Sequence, residues 1–109
     1  KIYSMAFNGT EGEFISIDEG GQMTAAWRNG SNGDIKGVFH GKEKLETLLN
    51  QAGAVGIRMY FAEKTNGDKT LVLVGVDAEG NDILGGDLIL DRAVPCPTNC
   101  SNGNPLNSQ

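Results

Sequence analysis

The chain has 109 residues, a formal net charge of −5, 16 glycines and two cysteines. That length suits one domain with its own core, and 39% apolar with 21% charged residues excludes a disordered or fibrous chain. The acidic balance argues against nucleic acid and anionic membrane surfaces, which are bound through excess Lys and Arg.

No apolar run approaches the roughly 18 residues needed to span a bilayer. Residues 1–4 read as lying outside the native fold, with Met5 as the native initiator. No signal peptide precedes it, which favours the cytoplasm. Residues 5–94 are expected to form one α+β domain, and residues 95–109 a tail rich in Pro, Asn and Ser. Sequon matches at Asn8, Asn29 and Asn99 carry little weight, because Asn8 and Asn29 also begin Asn-Gly turns.

Ser16-Ile17-Asp18-Glu19 matches a capping box and predicts a helix over residues 16–28. Ile17, Gly20, Thr24 and Trp27 share one helical face. Gly20-Gly21 weaken this helix and leave a competing hairpin turning at Glu19-Gly20-Gly21. Asn29–Asp34 is a turn, and Ile35–His40 a short strand. Lys42–Ala52 is the clearest helix, with Leu45, Leu48, Leu49 and Ala52 on one stripe and Gly53 as its left-handed end.

Val55–Glu63 alternates as a strand. Val55, Ile57, Met59 and Phe61 lie on one face, and Gly56, Arg58, Tyr60 and Ala62 on the other. Asn66-Gly67 turns the chain into Leu71–Asp77, whose apolar run predicts a central strand covered on both faces. Ile83–Asp91 supplies a last strand, bent at Gly85-Gly86. The expected fold is α+β: two helices packed on a small, mainly antiparallel sheet of about four strands, with a C-terminal meander.

Candidate chemistry is sparse. Arg58 and Tyr60 share a strand face beside Gly56, a shallow place for a small carboxylate or phosphate. The alternative pairs Arg58 with Asp77 or Glu79. His40, the one histidine, stands at a strand-to-helix junction, where it could act as a base or simply cap the helix. Cys96 and Cys100 could form a disulfide, bind a metal with His40 and a carboxylate, or remain free or reactive thiols. Asp77–Asp82 is acidic like a calcium loop but fails the EF-hand spacing. Phosphate-loop, zincin and nucleophile-elbow motifs are missing.

Several segments together resemble an uncharacterised family of short bacterial proteins. They are Met5–Gly12, Phe39-His40-Gly41-Lys42, Leu48-Leu49-Asn50-Gln51, Val55–Phe61, Leu71–Asp77 and Pro95-Cys96-Pro97-Thr98-Asn99-Cys100. The resemblance implies the helix over the hairpin at residues 16–28 and brings no known activity. The function expected is a non-catalytic module that binds a partner protein or self-associates, without a cofactor. The alternatives are a small-anion or metabolite binder using Arg58, Tyr60 and His40, and a thiol or metal protein using Cys96 and Cys100.

Overall fold

The structure is a computed structural model and describes residues 6–31 and 34–107. The expectations for residues 1–5 and for the middle of the Asn29–Asp34 turn lie outside the described residues. The fold is a small α+β fold with two helices and antiparallel sheets. The elements run α1 (Ile17–Ser31), β1 (Gly37–Phe39), α2 (Lys42–Leu49), β2 (Ala54–Glu63), β3 (Lys69–Asp77), β4 (Ile89–Leu90) and β5 (Val94–Cys96). They gather into two compact units, each assembled from separate stretches of chain.

One unit comprises residues up to Gly12, 40–62 and 71–92. It holds α2 and most of a three-stranded sheet in the order β2-β3-β4. Helix α2 has Gly41 as its N-cap, which has no side chain to cap the first amides, and Glu43 in the first turn suits the helix dipole. The helix ends at Leu49, earlier than its apolar stripe predicts. The Asn50 amide donates to the Glu46 carbonyl at 2.8 Å, and the Gln51 amide and side chain donate to the Leu48 carbonyl at 3.4 and 3.1 Å. Gly53 is left-handed, with φ 84°, in the turn that follows the helix.

Strand β3 is central, as its composition predicts. Leu73, Val74, Gly75 and Val76 are buried in succession, which requires cover on both faces. Helix α2 contributes Leu48, only 2% exposed, to the same core. Gly75 permits the close approach: a Cβ there would lie 3.2 Å from the Leu48 carbonyl oxygen and 2.6 Å from Gln51 Nε2.

The predicted strand Ile83–Asp91 is mostly not a strand. Asp82 bridges Val76, and the Ile83 amide donates to the Gly75 carbonyl. Pairing resumes at Val74↔Ile89 and Leu73↔Leu90. Residues 84–88 therefore loop out while β3 advances by one residue. Gly85-Gly86 turn that loop, and Asp87 takes a left-handed φ of 55°.

The other unit comprises residues 13–39, 63–70 and those from Ala93 on. Residues 17–31 are helical, so the helix prevails over the hairpin and runs on through Asn29, Gly30 and Ser31, the first half of the predicted turn. Ser16 Oγ accepts the Glu19 amide at 3.0 Å, the cap that the sequence predicts. Of the four residues placed on one face, Gly20 and Thr24 are half-buried. Ile17 is 67% exposed and Trp27 half exposed, with its indole donating to the Ile35 carbonyl at 3.0 Å. The helix buries Gly21.

A further correction concerns β1. It does not join the main sheet but pairs antiparallel with β5, in the register Gly37↔Cys96, Val38↔Pro95 and Phe39↔Val94. Two sheets thus replace the single one expected. The boundary drawn at residue 95 also falls inside β5, because Pro95 can occupy a strand that needs no amide from it.

Candidate functional site

Arg58 and Tyr60 lie two residues apart on β2, so the pleat points both to one face. Both reach Asp82. Arg58 Nη1 donates to Asp82 Oδ1 at 2.5 Å, Arg58 Nη2 to the Gly80 carbonyl at 3.2 Å, and the Tyr60 hydroxyl to Asp82 Oδ2 at 2.5 Å. The Arg58 guanidinium also lies 5.8 Å from the centre of the Phe7 ring. The hydrogen bond from Tyr60, then that from Arg58, holds the Asp82 carboxyl below its ordinary range. The carboxylate in turn pushes the Arg58 guanidinium up.

The acid that Arg58 finds is neither Asp77 nor Glu79. Asp77 Oδ1 accepts the amides of Glu79 and Asn81 and so stabilises its own turn. That turn presents Asp82 and the Gly80 carbonyl to Arg58.

Beside this network lies a cleft of about 310 Å³ lined by Phe7, Gly9, Glu11, residues 55–58 and Val76. Its acidic side is already engaged. Glu11 takes the amides of Asn8 and Gly9, both at 2.9 Å, and these bonds hold its carboxyl low. An anion entering the cleft would meet an arginine already matched by Asp82.

Neither His40 nor Tyr60 lines this cleft. His40 directly precedes the start of α2, with its Nε2 buried and unpartnered, while Gly41 takes the cap position. Cys96 and Cys100 are joined in a disulfide, so their sulfurs are bonded to each other and not available as thiolates. Among the described residues, no three His, Cys, Asp or Glu side chains gather as metal ligands, and no helix is long and apolar enough to cross a membrane.

The same strand carries a feature that alternation alone does not reveal. In the order β2-β3-β4, β2 is an edge among the described residues. Its second half is uncovered: Met59 is 55% exposed and Phe61 94%. At its first half the 8–11 loop closes in, and a Cβ on Gly9 would lie 3.3 Å from the Val55 carbonyl oxygen. The open stretch of the edge thus begins after Val55. No family model, curated protein or solved structure matches the chain.

Proposed function

We propose that the protein is a non-catalytic module that self-associates, a second copy adding its β2 to the free β2 edge of the first. The observation that carries this reading is Phe61, 94% exposed beside Met59 on a long edge strand. An exposed apolar edge carries unpaired amides and carbonyls, and a matching strand satisfies both the apolar and the polar need. A two-fold interface requires self-complementarity. Antiparallel pairing centred on Met59 sets Ile57 against Phe61 of the second copy and Arg58 against Tyr60. Apolar groups then meet apolar groups, while the guanidinium faces the Tyr60–Asp82 pair of its neighbour. Gly56 opposes Ala62, so the small residues also match.

Size-exclusion chromatography with light scattering tests the reading. A dimer is expected at micromolar concentration, converting to monomer in Phe61→Lys. A strict monomer at high concentration overturns it.

A further inference from the structure

The glycine pair in α1 has a purpose in the structure. Gly20 and Gly21 form the seat of the C-terminal segment. A Cβ on Gly21 would lie 3.0 Å from the Pro105 carbonyl oxygen and 3.2 Å from Pro105 Cβ, and one on Gly20 would lie 3.3 Å from Leu106 Cδ2. Two cations of the same unit fasten the segment: Arg28 Nη1 donates to the Leu106 carbonyl at 2.5 Å and Lys36 Nζ to the Asn107 carbonyl at 3.0 Å.

Short-range bonds within the segment add to this hold. Asn107 Oδ1 accepts the Asn104 amide and Asn104 Oδ1 the Leu106 amide, while their Nδ2 groups donate to the carbonyls of Ser101 and Asn102. Its contacts with α1 leave Leu106 half exposed. Such docking lies at the low end of local stability, so its direction of approach matters. That direction is set where the chain leaves β5. There the Cys96–Cys100 disulfide closes the turn, together with a backbone bond from the Asn99 amide to the Pro95 carbonyl. Cys100 is exposed and within reach of a reductant.

We infer that residues 97–107 are a redox-released strap, seated on the Gly20-Gly21 groove of α1 only while Cys96 and Cys100 are joined. A dithiol reductant supplies the two electrons and two protons. One of its thiolates attacks a sulfur of the pair to give a mixed disulfide, and its second thiol displaces the protein. Cys96 and Cys100 leave as thiols and the reductant as its own disulfide. The turn then loses its covalent closure, the strap leaves α1, and the groove with Arg28 and Lys36 opens to solvent.

Hydrogen exchange read by mass spectrometry tests this on the full chain. Peptides covering residues 97–107 are expected to exchange about tenfold faster after reduction, while β2 and β3 keep their protection. Cys96→Ser/Cys100→Ser should match the reduced chain without any reductant. Gly21→Ala, with the disulfide intact, should free the strap as well. Equal exchange in the oxidised and reduced chains overturns the inference. So does loss of protection throughout β2 and β3, which would make the disulfide a staple of the whole fold. Full strap protection in Gly21→Ala overturns the glycine seat.

Discussion

Asp82 accepts from Arg58 and Tyr60 at once, and both bonds are stronger to the charged carboxylate than to the neutral acid. Its pKa is therefore lower in the folded chain than in the unfolded one. The network's contribution to stability is fully present above the unfolded value of about 4 and is lost as pH falls through the lower folded value. Asp82→Asn should flatten the acid limb of a melting-temperature profile and lower the midpoint at neutral pH, as followed by thermal unfolding from pH 2 to 7. An unchanged acid limb would show that the network adds nothing. Part of this was legible beforehand. The alternation of β2 put Arg58 and Tyr60 on one face, and pairing of Arg58 with an acid of the 77–79 turn stood as one of two readings beside an anion site. Which acid was not legible, because Asp77 spends its carboxylate on the amides of Glu79 and Asn81, a matter of turn geometry that spacing does not encode.

At the scale of elements, glycines mark where backbones come closest. Gly75 sits in an unbroken apolar run and carries no sequence signal of its own, yet α2 ends against it. Gly75→Ala should destabilise the fold by about 1–3 kcal/mol, the usual cost of overpacking a filled site. Gln51→Ala in the same chain should recover part of the loss, since it removes the nearer obstacle and leaves the Leu48 carbonyl oxygen in place. Urea unfolding of the single and double variants measures both effects, and full additivity would deny the contact. The predicted helix start at Ser16 and the central place of β3 follow from local composition, which is why they were readable. Gly20-Gly21 instead looked like a fault in α1. Their reason lies in Pro105 and Leu106, far along the chain, and a helical pattern holds no record of a segment that docks on it.

At the scale of the whole molecule, β1 was readable as a strand but not its pairing with β5, because Cys-Pro-Thr-Asn-Cys reads as tail until a partner strand is known. For β2 the two faces were readable, but not that β3 would cover one edge only. That uncovered edge fixes the last test. If two copies pair antiparallel about Met59, the two Met59 residues oppose each other, with Cα atoms about 5.5 Å apart or closer, within the span of a disulfide. Met59→Cys should therefore cross-link to a dimer under mild oxidation, read on a non-reducing gel. Glu63→Cys, opposite Val55 in that register, should cross-link far less. A dimer seen by light scattering without a cross-link in the Met59→Cys chain would retain self-association and reject this strand pairing. A chain that is monomeric and not cross-linked would reject both.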